Sequence, residues 1–322
     1  MKRGVKNKKI VVIGGGTGSF MVLSALRRYP VHLTSIVSMA DNGGSTGRLR
    51  DQYGVLPPGD VRRALVALSD APQTLRDLFN YRFSSGDLKE HNFGNIFLST
   101  LEKMTGNFAE ALKVVSQILN IKGSVMPVTL KNITLYAQLA NGVVIKGETN
   151  IDKPKHNPEL PIKKVWLSPQ ARINPEAKKA ILSADMIVIG PGDLFTSIVP
   201  NFLVDGVIAT IKKSKAKKVY VCNLMTKFGE THCFKAHDFL NKVEEYLGKE
   251  TLDYAVFNNK KPAPKILKRY LEENSHFVDV SGLDLKGKKP KLVLANLLDQ
   301  GSFVRHNPRK KLAKVLMALS GF

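Results

Sequence analysis

The sequence is poor in cysteine and in long apolar runs. Its 322 residues include 2 cysteines, Cys222 and Cys233, which form no CxxC pair. This sparse usage favours a reducing compartment over a disulfide-rich secreted fold. No segment reaches the ~20 apolar residues of a membrane-spanning helix. The apolar run at residues 10–13 is also too short for a signal peptide. We therefore expect a soluble, cytoplasmic protein without a membrane span.

Acidic residues are also scarce: 27 Asp and Glu face 49 Lys and Arg, which gives a formal charge of +22. Such a charge can indicate a polyanion partner, RNA more readily than specific DNA, or only a lysine-rich solvated surface. The basic doublets are spread along the chain, for example at Lys163-Lys164 and Lys260-Lys261, and no aromatic residues are interleaved to stack bases. The pattern favours the solvated surface and no specific nucleic-acid partner. Nucleic-acid binding remains an alternative carried by charge alone.

Two familiar nucleotide motifs are incomplete or missing. The glycine loop reads GxGxxS at Gly14, Gly16 and Ser19, and no GxxxxGK[ST] sequence is present. The start of the sequence instead predicts an apolar strand at residues 9–13, a glycine loop, a helix at residues 20–28 and a second strand at residues 31–39. This βαβ pattern predicts a parallel sheet. The loop could cradle a phosphate with backbone N–H groups at a helix N-terminus, or be a tight turn without a ligand.

The rest of the chain predicts one domain over residues 1–322. Helices are expected at residues 60–69, 74–83, 93–104 and 108–119. Alternating apolar runs at residues 125–130, 133–139 and 143–148, with an Asn141-Gly142 turn, predict a small antiparallel β insertion over about residues 123–167. Strands at residues 186–189, 218–222 and 254–257 then alternate with helices, and a last helix is expected at residues 308–319. The fold class is α/β, a doubly wound Rossmann-like, mainly parallel sheet.

Polar and glycine-rich segments follow five of these strands. They are residues 14–18, 41–47, 190–193, 223 and 258–259. In an open parallel sheet, ligands bind outside the carboxyl ends of the strands, near the switch point. The sequence thus predicts a site for a phosphate-bearing, nucleotide-type ligand at one edge of the sheet.

Individual residues in these segments allow more than one interpretation. Asp41 could bind a ribose or close an Asx turn, and Arg48 could hold a phosphate through two parallel hydrogen bonds. Asp60 reads as a helix N-cap, with Arg62 and Arg63 in the first turn. His91 could act as an acid or base, or cap a turn. A zinc site is a weaker alternative for the group His232, Cys233, His237 and Asp238.

Seven motifs occur in the order found in one family: GGGTG, ADNGGSTGRLR, PPGDVRRAL, HNFGN, GPGDLFTSIVPN, VCNLMT and RHNPRK. The chain resembles the family of 2-phospho-L-lactate transferase, and within it the bacterial branch of YvcK-like gluconeogenesis factors. The similarity runs over residues 9–319. It implies a Rossmann-like fold. For the transferase branch it implies metal-aided phospholactyl transfer from a nucleotide diphosphate to a deazaflavin.

For the bacterial branch, the resemblance implies binding of UDP-sugars such as UDP-N-acetylglucosamine or UDP-glucose, with effects on cell shape and peptidoglycan precursor supply during gluconeogenic growth. No reaction is implied for this branch, so turnover is left open. Magnesium at Asp41 is the candidate cofactor, Asp41 and His91 are the candidate catalytic residues, and a homodimer is compatible with the sequence. The expected ligand contacts are Gly15, Gly16, Thr17, Gly18, Asp41, Asn42, Gly43, Gly44, Ser45, Arg48, His91, Asn95, Gly190, Gly192, Asn223 and Arg305.

Several residues depart from the pattern of the bacterial branch. Asp193 and Phe195 stand where GPGSLYTS has serine and tyrosine, and His232 and Cys233 replace an Asp-Gly pair. A carboxylate in a phosphate loop repels anions unless it faces a metal. A metal site shared by Asp41 and Asp193 is one alternative; in the other, Asp41 only caps its loop.

Overall fold

The computed structural model describes residues 7–284, 289–299, 301, 303–307 and 311–321. Within these residues seven strands form one sheet in the order β3-β2-β1-β7-β8-β9-β10, and every neighbouring pair is parallel. The seven strands are β1 (Lys8–Gly14), β2 (Val31–Val37), β3 (Ser124–Pro127), β7 (Met186–Ile189), β8 (Lys217–Val221), β9 (Tyr254–Asn258) and β10 (Lys291–Ala295). The strand order reverses between β1 and β7. This arrangement confirms the predicted doubly wound α/β fold and puts its switch point beside the first glycine loop.

A smaller antiparallel sheet holds the remaining three described strands, in the order β5-β4-β6. They are β4 (Thr134–Leu139), β5 (Val144–Lys146) and β6 (Ile162–Ser168). The predicted Asn141-Gly142 turn joins β4 to β5, with Gly142 at a φ of +91°. One expectation was wrong: β3, predicted to start the antiparallel insertion, pairs in parallel with β2 at the edge of the main sheet. The insertion seen in the structure therefore begins after β3.

Helices cover the main sheet, so its central strands are buried on both faces. Ile10, Val12, Ile187 and Val188 have no exposed surface. The helices are α1 (Gly16–Leu26), α2 (Gly44–Tyr53), α3 (Pro58–Leu68), α4 (Gln73–Asn80), α5 (Phe93–Thr105), α6 (Phe108–Ile118), α7 (Glu148–Asp152), α8 (Pro175–Ser183), α9 (Val199–Phe202), α10 (Val207–Lys213), α11 (Ala236–Leu247), α12 (Pro264–Glu272) and α13 (Lys311–Ser320), with a π-helical turn at Leu194–Ile198. No helix within the described residues has the length and apolar character to cross a bilayer.

Three local differences from the sequence prediction bear on the site. Helix α1 begins at Gly16, four residues earlier than expected, so the glycine loop itself forms the first helical turn. Pro58 occupies the first turn of α3, which places Asp60 inside the helix and not at its N-cap. The short helix α7 and the edge strand β10 were not predicted. The first three residues of the last predicted helix lie outside the described residues.

Candidate functional site

The ends of β1, β2 and β7 open into a cavity of about 520 Å³, here called the main cavity. It is lined by glycine loops, by carboxylates and by basic side chains. Its lining residues are Gly15, Gly16, Thr17, Gly18, Ser38, Asp41, Gly43, Gly44, Ser45, Thr46, Gly59, Asp60, Arg62, Arg63, Arg82, Asn95, Glu148, Thr149, Asp152, Lys153, Gly192, Asp193, Thr196, Ser197 and Lys227. The cavity lies at the sheet edge that the sequence predicted.

Three helices begin at the main cavity. The first residues of α1, α2 and α3 line it, and their N-cap positions, Gly15, Gly43 and Pro57, provide no side-chain cap. Backbone N–H groups at a helix N-terminus attract anions, and the helix dipole adds to this attraction. Three such termini around one cavity make a strong site for an anionic ligand.

Close packing between two glycine loops shapes one wall of the main cavity. A Cβ atom on Gly18 would lie 2.1 Å from the carbonyl oxygen of Pro191. Such a contact is too short for any side chain. Glycine at position 18 is therefore required for the loops after β1 and β7 to meet, whether or not a ligand is bound.

Asp41 has a structural role and also faces the main cavity. Its Oδ1 accepts the backbone N–H of Gly43 at 2.9 Å, which is the Asx turn considered from the sequence. A Cβ on Gly59 would lie 2.5 Å from Oδ2 of Asp41, so this second oxygen faces the start of α3. Oδ2 remains available for a metal or a ligand.

Asp60 and Glu148 share the main cavity with Asp41, and all three carboxylates repel one another. Burial, followed by the nearby Asp41 carboxylate, raises the pKa of Asp60 to about 6. Burial and the same neighbour raise the pKa of Glu148 to about 9. Hard oxygen ligands are what Mg²⁺ prefers in proteins, and a divalent cation would relieve this repulsion. Asp41, Asp60 and Glu148 therefore offer carboxylate oxygens at the main cavity, but the three are not placed to reach a single ion together.

The adjacent Arg62 and Arg63 have different surroundings. Arg63 is 45% exposed and lies 3.5 Å from Asp60, so it is free to reach a ligand. Arg62 is 6% exposed and donates from Nε to Asn95 at 3.0 Å and from a terminal nitrogen to the Phe79 carbonyl at 3.2 Å. Arg62 thus connects α3 to α4 and α5 through hydrogen bonds, whereas Arg63 is available to a ligand in the main cavity.

Lys227 is surrounded by three carboxylates at one end of the main cavity. Its ammonium lies 2.9 Å from Asp193 and 3.7 Å from Glu230, and it contacts Asp152 more closely. Burial would lower the pKa of Lys227, but the three carboxylates raise it above its ordinary value. Lys227, on the turn after β8, therefore offsets the charge of Asp193. This contact also places Asp193 in a different carboxylate group from Asp41.

Glu230 is the buried member of the carboxylate group around Lys227. It is 3% exposed, its two carboxylate oxygens accept the backbone N–H of Phe195 and the hydroxyl of Thr196, both at 3.1 Å, and burial raises its pKa to about 8. Among the described residues, Asp152, Asp193 and Glu230 are the one set of three potential metal ligands within reach of a single ion. The alternative zinc group is not assembled: His232 packs on Phe228, and His237 pairs with Asp238.

Most of the expected contacts lie together at the main cavity, and others lie beside it. Ten of them line it directly: Gly15, Gly16, Thr17, Gly18, Asp41, Gly43, Gly44, Ser45, Asn95 and Gly192. Asn42 instead accepts the backbone N–H of Thr149 at 2.9 Å and so holds the start of α7 against the loop after β2. Gly190 shapes the third loop at a φ of +72°.

Asn223 and Arg305 line an adjoining cavity of about 210 Å³, which shares Thr17 and Gly18 with the main cavity. The Asn223 side chain accepts the backbone N–H of Gly192 at 3.0 Å. The Arg305 guanidinium lies 5.3 Å from the centre of the Phe303 ring. The two cavities together can accommodate a ligand with a phosphate part and a second, uncharged part.

Arg48 and His91 lie outside the main cavity. Arg48 donates to the Lys89 carbonyl at 2.9 Å. The His91 ring is buried behind Ser45, with Nδ1 3.2 Å from the serine hydroxyl. Burial, with Arg48 and Arg82 nearby, lowers the pKa of His91. The structure therefore places these two residues behind the α2 terminus, from where His91 positions Ser45.

The sequence prediction missed four charged residues that shape the site: Glu148, Asp152, Lys227 and Glu230. The first two lie on α7, which enters the main cavity from the insertion. The turn containing Lys227 and Glu230 follows the VCNLMT motif. The VCNLMT motif could have indicated that this turn belongs to the site, but the sequence prediction included only its asparagine, Asn223.

The chain is similar to known proteins of one family. Residues 10–298 match the family 2-phospho-L-lactate transferase CofD. A relative from Aquifex aeolicus, provisionally named a gluconeogenesis factor, is 42% identical over 98% of both chains. The gluconeogenesis factor of Bacillus subtilis is 37% identical over 97% of this chain and 98% of its own. A crystal structure of a UPF0052 family protein from Bacillus halodurans, 37% identical, superposes with a TM-score of 0.92 over 98% of this chain and all of that one.

Proposed function

This chain belongs to the 2-phospho-L-lactate transferase CofD family, and on that premise we propose that it binds a UDP-sugar, such as UDP-N-acetylglucosamine or UDP-glucose, in the main cavity. Relatives named gluconeogenesis factors support the assignment of the chain to the bacterial branch of this family. The choice of uridine and sugar follows from the resemblance to the bacterial branch. The three helix N-termini that line one cavity are the observation that supports a diphosphate there.

Magnesium accompanies the diphosphate in this proposal. The main cavity holds five carboxylates, of Asp41, Asp60, Glu148, Asp152 and Asp193. Lys227 offsets part of the charge of the last two. Glu148, with its pKa raised to about 9, is protonated at neutral pH, so Asp41 and Asp60 are the charged carboxylates that face an anionic ligand. Asp41, with Asp60 near it, would hold a divalent cation, which would offset the negative charge of the diphosphate. Arg63, a cation that lines the same cavity, would contact a phosphate of the ligand directly.

We propose that the role of this binding is regulatory. The protein would act in the cytoplasm and report UDP-sugar supply to cell-shape control and peptidoglycan precursor synthesis during gluconeogenic growth. No specific nucleic-acid partner is needed for this role. The basic surface would then give only weak, sequence-independent nucleic-acid binding that is largely lost at physiological salt.

A metal-dependent group transfer is the second candidate, and the pair of carboxylates at Asp41 and Asp60 is the observation that favours it. A metal ion on the diphosphate would stabilise charge on the leaving phosphate when a nucleotide donor is cleaved. The two candidates differ in turnover. Release of UMP or UDP from a UDP-sugar over hours, with magnesium present, would support transfer chemistry and contradict a pure binder.

A thermal-shift screen tests the proposed ligand class. UDP-N-acetylglucosamine, UDP-glucose, NAD and a deazaflavin are each added with and without magnesium. At a ligand concentration of 100 Kd, the free energy of unfolding should rise by about 2.7 kcal/mol. We expect a UDP-sugar to give the largest shift. A larger shift from NAD than from either UDP-sugar would overturn the proposal.

A further inference from the structure

A second cavity of about 450 Å³ lies behind the α2 terminus and is separate from the main cavity. It is formed between α2, α5 and the segment before α5. The first turn of α2, with Ser45, faces the main cavity, whereas Arg48 and Leu49 on the same helix face the second one. His91 lines the second cavity, so the His91–Ser45 hydrogen bond stands between the two.

One wall of this second cavity holds a polar group without a partner. Ser99, on α5, is 4% exposed, and its hydroxyl makes no hydrogen bond to any residue that the structure describes. A helical serine commonly bonds the carbonyl one turn earlier, but Ser99 does not. A buried hydroxyl without a partner costs free energy, which a ligand acceptor would recover.

His91 supplies a second donor in the same place. The Ser45 hydroxyl oxygen accepts the backbone N–H of Asn92 at 3.2 Å and can donate its own proton to Nδ1 of His91. In that tautomer the neutral ring carries its proton on Nε2. No hydrogen bond from Nε2 is found within the described part of the chain. The ring therefore has an unused donor.

Charge and apolar surface complete the second cavity. Arg48 and Lys103 contribute positive charge, and the carboxylate of Asp87 on its rim is exposed. Each cation makes one hydrogen bond, to the Lys89 and Tyr53 carbonyls respectively, and retains further N–H groups. Leu49 and Leu88 add apolar area. Donors and positive charge above an apolar floor match an organic anion with an apolar body.

We propose that this second cavity is a binding site for a small organic anion, a carboxylate or sulfonate carried on an apolar body. The anionic head would accept hydrogen bonds from Ser99 and His91 and lie near Arg48 and Lys103. The apolar body would cover Leu49 and Leu88. This site is distinct from the diphosphate site and does not depend on the identity of the nucleotide.

The probe for this proposal is 8-anilinonaphthalene-1-sulfonate, whose fluorescence rises when it enters an apolar pocket. N-phenyl-1-naphthylamine has the same ring system without the sulfonate and serves as the neutral control. We expect the sulfonate probe to bind with one site per chain and at least tenfold more tightly than the neutral probe. Equal affinities, or no binding of the sulfonate, would contradict the proposal.

Variants locate the bound probe. Thr100→Trp fills the second cavity from an exposed position on α5, and we expect it to weaken probe binding at least tenfold. Lys103→Gln should weaken it severalfold, whereas Lys268→Gln, at an exposed position on α12, should leave it unchanged. Melting temperatures confirm that each variant is folded.

The remaining control separates the two cavities. Arg63→Gln removes a cation from the main cavity and should not alter probe affinity. If Arg63→Gln weakens the probe while Thr100→Trp and Lys103→Gln do not, the probe binds at the main cavity and the proposal is wrong.

Discussion

The Lys227 ammonium lies 2.9 Å from the Asp193 carboxylate and thereby joins the turn after β8 to the loop after β7. Asp152 from the insertion and the buried Glu230 complete the contact. One lysine thus connects three segments that are distant in sequence. It also pairs with Asp193, the carboxylate that a metal site shared with Asp41 would have used.

Lys227→Met should strongly destabilise the fold. The substitution leaves three carboxylates facing one another without a cation. Removing one partner of a fully buried ion pair costs about 3–5 kcal/mol, and we expect the lower part of this range because Lys227 is 28% and Asp193 37% exposed. Urea unfolding gives the value. Lys179→Met is the matched control, because its partner Glu176 is solvent-exposed and such pairs contribute about 0–1 kcal/mol. Similar losses in the two variants would mean that Lys227 is not a structural charge centre.

Magnesium or manganese should restore part of the stability lost in Lys227→Met. The three carboxylates can reach a single ion once the ammonium is gone. The same metal should change wild-type stability less through this group, since Lys227 occupies it. Equal metal effects on both proteins would show that the lysine and the ion do not compete.

The raised pKa of Glu148 predicts a pH-dependent stability. The folded value of about 9 exceeds the ordinary value of 4.5, so the folded protein retains a proton that the unfolded chain releases. The free energy of unfolding should therefore fall as pH rises from about 5 to about 9, by at most about 1.4 kcal/mol per pH unit from this group. Glu148→Gln should make the decline shallower when measured by urea unfolding in chelator.

Glu272→Gln is the control for that experiment, since Glu272 is exposed at the end of α12. Its stability profile should match that of the wild type. If Glu148→Gln also follows the wild-type profile, then Glu148 is ionised in the folded protein without metal, and the described carboxylate repulsion is not present.

The adjacent arginines of α3 should separate binding from stability. Arg63→Gln should weaken UDP-sugar binding about tenfold and change the free energy of unfolding by less than about 0.5 kcal/mol, as expected at an exposed site. Arg62→Gln should cost about 1.5–3 kcal/mol, because a buried charged donor loses its partners. Calorimetric titration and urea unfolding of both variants measure these effects. The opposite assignment of effects would refute the roles given to the two side chains.

The sequence predicts the loops of the site because their signals are local. Glycines that follow apolar strands identify residues 14–18 and 190–193, and parallel strands bring their carboxyl ends to one edge. The same reasoning found Asp41 and its Asx turn. The position after a strand also identified Asn223, whereas motif order was needed for Asn95, which lies in the first turn of α5.

The carboxylates of α7 could not be predicted in this way. Glu148 and Asp152 follow the antiparallel strands, where the pattern indicates only a hairpin and its continuation. They reach the main cavity because Asn42 binds the backbone of Thr149, a contact between residues 107 positions apart. Strand β10 was missed for a related reason: its sequence, KLVLA, is a short apolar run, and periodicity alone does not assign such a run to a strand or a helix. Tertiary contacts decide both cases.

Calorimetric titration of UDP-N-acetylglucosamine into the wild type and Asp41→Asn, each with magnesium and with chelator, tests the central claim most directly. Asn preserves the Asx turn but weakens metal binding, and Asp51→Asn, an exposed carboxylate on α2, serves as the control. The account predicts that magnesium tightens binding severalfold in the wild type and in Asp51→Asn, and that Asp41→Asn loses this gain. Identical affinities for the wild type and Asp41→Asn in all four titrations would contradict a metal-assisted diphosphate site at Asp41.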